Sequence, residues 1–429
     1  MSKISKAKLV DACLTELTAY LRAGESINQS VVAEALEFDQ TTIDDLDRLL
    51  DIHFTLSSRV GAYLERLPQE IRRVSTATVA EENHSRGQIE GAIDWGRTTE
   101  ARTATGLQDR TLYVTHTQER SYETAENLVL KALLSHVQTL VTEEIADLDE
   151  SRRMPVWSDG SLQSYRQLVE RNVHLNRIPT VPLERLTPRM LDTARKSRKY
   201  LYSEAAALVD LRRKLQDRAI DDPAVRAIFE QTLAAPDVET LFELFCTFRI
   251  LRWLQSAFPN LSLQHIRTGS EPLAQLRGAE TEIRVYHDSQ GGLDLTESVD
   301  SGRVKPQSPY LRQRITARTT HADIMEQDQT RALFRGQPDL IVEVYRKHGE
   351  TTALQSVFLG EAKHTAEKST LSNGVSELLE YLMHARSSDR YLVDDSSVDV
   401  FGFVFSDSEI RLQRQPLVTH LTVNEMQKW

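Results

Sequence analysis

Gly336-Gln337-Pro338-Asp339 runs into Leu340-Ile341-Val342-Glu343-Val344-Tyr345, then a polar segment, then Val357-Phe358-Leu359-Gly360-Glu361-Ala362-Lys363. The first apolar run is rich in β-branched residues and reads as a strand. The segment Arg346 to Thr352 contains Gly349 and suits a hairpin loop, and the second run is again strand-like. Side chains alternate along a strand, so Glu361 and Lys363, two apart, point to one face. Asp339 opens the neighbouring strand and can reach that face too. Both acids interrupt otherwise apolar runs, a pattern that marks chemistry more than packing. A surface hairpin with a chance Glu-x-Lys would carry the same letters.

An acid from one strand, with an acid and a lysine from the next, suits a divalent cation. Mg²⁺ (or Mn²⁺) takes hard oxygen ligands and keeps several waters, so two carboxylates are enough protein ligation. Asp339 and Glu361 are the expected ligands, and the backbone carbonyl of Ala362 is placed to add another oxygen. Such an ion would acidify a water and neutralise charge developing on a phosphate. Lys363 would orient or polarise the attacking water and steady the phosphate as a compact point charge. The chemistry expected is phosphodiester hydrolysis.

Pro338-Asp339 followed by Glu361-Ala362-Lys363 resembles the PD-(D/E)xK, or restriction-endonuclease-like, nuclease superfamily. The resemblance implies that Asp339 and Glu361 bind Mg²⁺ and that Lys363 assists the nucleophile. It covers residues 236–429, where helix, strands, Asp strand, Glu-x-Lys strand, helix and strand follow in the order of that family's core.

Upstream, Asp237 can cap a helix from Val238 to Phe258 with apolar positions Leu241, Leu244, Phe245, Phe248, Leu251 and Leu254. Glu243 lies within it. The resemblance makes Glu243 a third carboxylate candidate for the metal, and a partly exposed helix glutamate is the alternative. Strands are expected at Leu261 to Ile266, Glu282 to Tyr286 and around Arg314 to Thr319. Gly291-Gly292 is a turn, since no Gly-x-x-x-x-Gly-Lys pattern accompanies it. Beyond Lys363, Thr370 to Arg386 reads as a helix. Some relatives of the superfamily carry Gln-x-x-x-Tyr here; this chain has Glu377 and Tyr381, so glutamate departs from the pattern and puts a direct active-site role for Glu377 in question, while Tyr381 can still pack or touch DNA. Val398 to Phe405 is expected as a buried central strand and Leu417 to Val423 as an edge strand.

The 429 residues carry 52 Lys/Arg against 63 Asp/Glu, a formal charge of −11, which argues against indiscriminate polyanion binding by the whole surface. Charge is segregated, however. From Ser151 to Arg218 the count is 15 Lys/Arg against 7 Asp/Glu. That segment includes Arg195-Lys196-Ser197-Arg198-Lys199, whose Arg195, Lys196, Arg198 and Lys199 are the candidate DNA-binding residues. A solvated helical face would carry the same run. Cys13 and Cys246 match neither a zinc pattern nor a disulfide framework. No apolar run reaches membrane length and no secretory leader opens the chain, so the expectation is a soluble, cytoplasmic protein with no membrane partner.

Residues 1–75 read as helical, and residues 76–150 as a mixed α+β domain with strands at Thr76 to Val79, Ile89 to Trp95 and Thr111 to Thr117 and a helix from Thr124 to Leu148. Read from the residues alone, Trp95 fills a core and Thr124 caps a helix. The phrases Arg86-Gly87-Gln88-Ile89-Glu90-Gly91-Ala92-Ile93-Asp94-Trp95-Gly96-Arg97-Thr98 and Thr124-Ala125-Glu126-Asn127-Leu128-Val129-Leu130-Lys131 are also similar to the amino-terminal halves of McrC-like restriction subunits. In those proteins a Gly-x-Ile-Asp-Trp-like strand precedes a Pro-Glu-Asn-like helix start; Ala125 stands where proline is expected. This resemblance implies a restriction or anti-phage role beside a separate AAA+ or helicase-type motor, since the chain has no nucleotide-binding loop of its own. Oligomeric state is left open.

The expected architecture is therefore a multidomain α/β protein. It comprises a helical region (1–75), a mixed domain (76–150), a basic helical connector (151–235) and a nuclease-like domain (236–429). The expected function is Mg²⁺-dependent cleavage of DNA. The rivals are an RNA nuclease and a non-catalytic scaffold that binds DNA or a partner.

Overall fold

The computed structural model describes residues 3–22, 27–36, 46–106, 109–143, 159–234, 236–264, 272–298, 309–325, 332–348, 351–387, 390–407, 410, 412 and 416–429. Its contacts divide the chain into two compact units: residues 51–225, and residues 1–50 together with 226–429. Both mix helices with strands.

In chain order, helices α1 (Lys6–Arg22), α2 (Gln29–Ala35) and α3 (Leu46–Leu56) come first, followed by α4 (Ser58–Glu70). A three-stranded antiparallel sheet then forms from β1 (Ala77–Arg86), β2 (Ala92–Ile93) and, after α5 (Trp95–Ala104), β3 (Leu112–Ser121), in the order β1-β3-β2. Helices α6 (Ala125–Glu143), α7 (Asp159–Arg171), α8 (Val173–Asn176), α9 (Pro188–Arg195), α10 (Tyr200–Gln216) and α11 (Pro223–Leu233) follow.

Within residues 51–225, Asn127 is a buried polar hub. Its Nδ2 donates to the carbonyls of Ser75 and Tyr122, both at 2.9 Å, and its Oδ1 accepts from the Tyr202 hydroxyl at 2.7 Å. A second buried tie is the bidentate pair from Arg212 to Asp51, at 2.8 and 2.6 Å. Thr124 caps α6 as expected, its Oγ1 accepting from the Asn127 N–H at 3.3 Å. Trp95 departs from the expectation: it is 63 % exposed and lies edge-on to Tyr113. The reason is local. Asp94 accepts from the Arg97 N–H at 3.0 Å and caps α5, so the chain coils at Trp95, and only Ala92–Ile93 of the expected strand pairs.

In the other unit the elements are α12 (Val238–Ala257), β4 (Ser262–Leu263), β5 (Ala274–Arg277), β6 (Thr281–His287), β7 (Thr296–Ser298), α13 (Pro309–Met325), β8 (Ala332–Arg335), β9 (Leu340–His348), β10 (Thr351–Lys363), α14 (Lys368–His384), β11 (Arg386–Ser387), β12 (Arg390–Tyr391), β13 (Asp399–Ser406), β14 (Val418–Thr422) and α15 (Val423–Met426). A seven-stranded mixed sheet runs β14-β13-β10-β9-β6-β5-β4. β13 is parallel to both β10 and β14, and the remaining pairs are antiparallel. β13 is thus internal and β14 an edge, as expected. The β9–β10 hairpin is longer than expected: pairing continues to His348 and Thr351, so the loop shrinks and its polar residues lie on paired strands.

Alternation along the strands sorts the two faces. Leu371, Leu378 and Leu382 of α14 pack with Ile341, Val357, Leu359 and Val404. The opposite face meets α12, where the Thr247 hydroxyl lies 3.4 Å from His287 Nδ1. Asp237 caps α12, accepting from the Thr240 N–H at 2.8 Å. Helix α1 packs with α12 as well, through Arg252 to Glu16 at 2.6 Å and Tyr20 against Phe248.

Two further expectations are corrected. Arg314 to Thr319 is not a strand but the middle of α13. Its β-branched residues suggested extension, yet the threonine hydroxyls bond back to carbonyls one turn earlier, Thr316 to Arg312 at 3.0 Å and Thr319 to Ile315 at 3.0 Å. The strand expected at Leu261 to Ile266 is confined to Ser262–Leu263 and the strand pattern does not continue at Gln264, while residues 265 and 266 lie outside the described residues. Arg386, expected at the end of a helix, instead enters β11 and is buried. It donates to Glu297 at 2.6 Å, Asp294 at 2.7 Å and the Thr296 carbonyl at 2.6 Å.

Removing one partner of a buried ion pair leaves the other charge desolvated. Arg386→Ala should therefore lower unfolding stability by roughly 3–5 kcal/mol, measured by chemical denaturation.

Candidate active site

The site grows from the register of one hairpin. Leu340 pairs with Gly360, so Asp339 stands at the strand mouth beside Glu361. Asp339 Oδ2 accepts from the Ala362 N–H at 2.6 Å, which fastens the aspartate to the neighbouring strand. Glu361 is only 2 % exposed. Lys363, two residues on and on the same face, places Nζ 2.6 Å from Glu361 Oε1. The sequence-selected trio is brought together.

Two more carboxylates complete the surroundings. Glu243 projects from α12 and is mostly buried; burial first, then the charges of Asp339 and Asp288, push its carboxyl up to about 8. Glu377 of α14 sits 2.7 Å from Lys363 Nζ. Burial alone would raise the Glu377 carboxyl, but the hydrogen bond from Lys363 holds it below the ordinary value. Burial raises Asp339 to about 6 despite its bond from Ala362. Burial, then the Asp339 charge, also raises Glu361 against the pull of Lys363. Lys363 itself is held above its ordinary value by Glu361 and Glu377, which outweigh its own burial.

Neighbouring residues are small where the site needs space. A Cβ on Gly374 would lie 2.7 Å from Lys363 Cγ, so only glycine lets the lysine stem lie against α14. A Cβ on Gly336 would lie 2.9 Å from Tyr381 Cδ1 and 3.0 Å from Phe334 Cζ. Tyr381 thereby packs beside the carboxylates, and burial and their charges raise its phenol. His364, next to Lys363, is fixed by the Ile4 carbonyl at 3.1 Å and by Asp407 at 3.5 Å, while the Ile4 N–H donates to Asp407 at 2.8 Å.

Sequence reading missed Asp288. It follows β6 with φ +44°, a conformation aspartate tolerates better than most residues, and its N–H donates to the Asp339 carbonyl at 3.1 Å. Gln337 donates to its Oδ1 at 2.8 Å. The only signal was an acid between a strand and Gly291-Gly292. Glu377 was visible through its spacing to Tyr381, but glutamate in place of glutamine hid its contact with Lys363.

The donor set fits a hard divalent cation: carboxylate oxygens at one sheet end, mutual repulsion that a cation would relieve, and a buried Glu361 Oε2 with no hydrogen-bond partner among the described residues. Among those residues, no three His, Cys, Asp or Glu side chains form a ready cage. Asp339 and Glu361 are the residues that would hold the ion, with Glu243 nearby, and the ammonium of Lys363 occupies Glu361 Oε1.

The basic cluster belongs to residues 51–225. Arg195 is paired with Asp192 at 2.8 Å and Asp210 at 3.4 Å, and Lys199 donates to Ser75 Oγ at 2.8 Å. Lys196 and Arg198 are exposed.

No family model and no curated protein matches the chain. Two solved structures from Thermococcus gammatolerans align with it. One is a half-complex of a tetradecameric assembly of McrB AAA+ hexamers with bound McrC, at 12 % identity over 97 % of this chain and 72 % of that chain, TM-score 0.23. The other is the McrBC complex, at 14 % identity over 57 % and 70 %, TM-score 0.25. Scores this low do not establish a common fold. No helix among the described residues is long and apolar enough to cross a membrane.

The raised carboxyls fix the sign of a pH dependence. Asp339 and Glu243 keep protons in the folded chain above their ordinary values of 3.8 and 4.5, up to about 6 and about 8. Between those limits the unfolded chain binds fewer protons at these two groups, so their contribution to stability is fullest below about pH 4 and is lost as pH climbs towards 8. In chelator-containing buffer, Glu243→Gln should gain melting temperature relative to the wild type as pH rises from about 4.5 to 8, by calorimetry across pH.

Proposed function

We propose that the chain is a metal-dependent phosphodiesterase that cleaves DNA. The observation that carries this reading is the assembly of Asp339, Glu361 and Lys363 at one sheet end, with both acids desolvated and their carboxyls raised. Burying like charges together costs stability, and a scaffold has no use for it. When bound, a divalent cation would supply Lewis acidity and a more acidic water. Asp339 and Glu361 would hold it. The Ala362 N–H fixes the Asp339 carboxylate, and Lys363, kept protonated by two carboxylates, acts as a phosphate clamp and orients the attacking water electrostatically. A lysine so paired is poorly suited to act as a general base at neutral pH.

The restriction or anti-phage setting, with a separate AAA+ or helicase-type motor, rests on the resemblance of residues 86–98 and 124–131 to McrC-like subunits. The buried role of Asn127 in the second phrase gives a physical reason for that residue in that phrase: it ties the start of α6 to Ser75 and Tyr202. DNA contact is assigned to Lys196 and Arg198, because Arg195 and Lys199 already serve internal contacts.

Cleavage of DNA with Mg²⁺ or Mn²⁺ should be seen with the wild type and lost in Asp339→Ala and Lys363→Ala, with the fold intact by circular dichroism. Activity unaffected by either substitution would remove the site. A matched RNA substrate cut in preference to DNA would instead establish the RNA reading. Saturable DNA binding without cleavage, in the presence of the motor, would favour the scaffold.

Reversing charge at Lys196 and Arg198 together should weaken DNA binding and reduce the magnitude of the slope of log K against log salt by about 2. An unchanged slope removes the cluster from the interface.

A further inference from the structure

Lys363 is shared by two carboxylates of different character. Glu361 is buried, with a side chain 3 % exposed, while Glu377 is 47 % exposed at the outer side of the cluster. The ammonium lies 2.6 Å from the first and 2.7 Å from the second. Its stem is laid along α14 by the close approach at Gly374, so the nitrogen can shift its weight between the two acids by turning the last bonds of a flexible chain. A cation on Glu361 Oε2, the oxygen with no hydrogen-bond partner among the described residues, would sit across one carboxylate from the ammonium on Oε1, and the two positive charges would repel. Without a second anion, Lys363 would either stay on Glu361 and oppose the cation, or be driven into the cluster without a counter-charge.

Resting on the nuclease reading of this site, we infer that Glu377 is a positioning residue: it receives the Lys363 ammonium when Glu361 turns to a divalent cation, and so keeps the lysine beside the cation with a counter-charge of its own. Glu377 touches neither reacting phosphate nor ion in this role and acts through Lys363. Glutamine at this position would offer a neutral amide oxygen, a much weaker acceptor for an ammonium than a carboxylate. Tyr381, one turn on, lies close enough to feel the charges of Glu361, Glu377 and Lys363.

The test is Mn²⁺ affinity of the full chain at pH 7.5, read from the paramagnetic resonance of free Mn²⁺, in a double-mutant cycle. Glu377→Gln is isosteric and half-exposed, so the fold is retained, and thermal unfolding checks it. In the wild-type background Glu377→Gln should weaken Mn²⁺ binding about tenfold, the scale seen for residues that orient metal ligands. In a Lys363→Met background, where no ammonium opposes the cation, the same substitution should change affinity by less than about twofold. Equal weakening in both backgrounds would mean that Glu377 acts by its charge alone, and no change in either would mean that it does nothing for the lysine; each overturns the inference and leaves the site standing. A wild type that binds no Mn²⁺ saturably, with Asp339→Ala indistinguishable from it, would overturn the site itself and this role with it.

Discussion

Two carboxylates held on neighbouring strands at the buried, open end of the β9–β10 hairpin set the terms for the rest of the structure. The pairing of Leu340 with Gly360 leaves Asp339 and Glu361 beside one another, and the Ala362 N–H keeps Asp339 there. The strands cannot slide to separate them, because a one-residue slip would send the side chains of β9 and β10 to the opposite faces and undo the packing under both α14 and α12. Lys363 is the ammonium that offsets the repulsion at Glu361. The carboxyl shifts at Asp339, Glu361 and Glu243 all express this one constraint: charge has been taken from water and only partly balanced.

The layers on either face serve that arrangement in different ways. Helix α14 covers one side with leucines and, within the same span, brings Glu377 to the lysine and Tyr381 beside it. Helix α12 approaches from the opposite face and contributes Glu243. Glycine at 374 and 336 sets how closely these partners come, because a methyl group at either position would collide with Lys363 or Tyr381. The residues ahead of α1 reinforce the same end of the sheet: Ile4 bonds both His364 and Asp407, so the segment following Lys363 is fixed by backbone contacts from far away in sequence.

Charge elsewhere in the chain is less free than its count suggests. The arginine-rich segment around residue 195 looks uniform as a string, but Arg195 is neutralised by two aspartates and Lys199 is turned toward Ser75. An excess of basic residues becomes a phosphate-binding surface only where side chains remain solvated and unpaired. Arg386 shows the opposite extreme, a basic residue withdrawn wholly into a buried clamp on Glu297 and Asp294.

Features set by near neighbours along the chain are legible in the residues alone. Apolar runs rich in β-branched residues marked the β9 and β10 strands, Asp237 and Thr124 announced helix starts, and Pro338-Asp339 with Glu361-x-Lys363 selected three residues that do converge. Sequence reading missed the helix at Arg314 to Thr319, because threonine satisfies its hydroxyl within a helix as readily as it fills a strand. It misread Trp95, because one capping bond at Asp94 turned the chain before the strand could continue. Only the tertiary structure decided that α1 packs with α12, that Asp288 closes on Asp339, and that Glu377 rather than solvent holds the far side of Lys363. Those facts depend on distances between residues tens to hundreds of positions apart, and no local propensity or spacing encodes them.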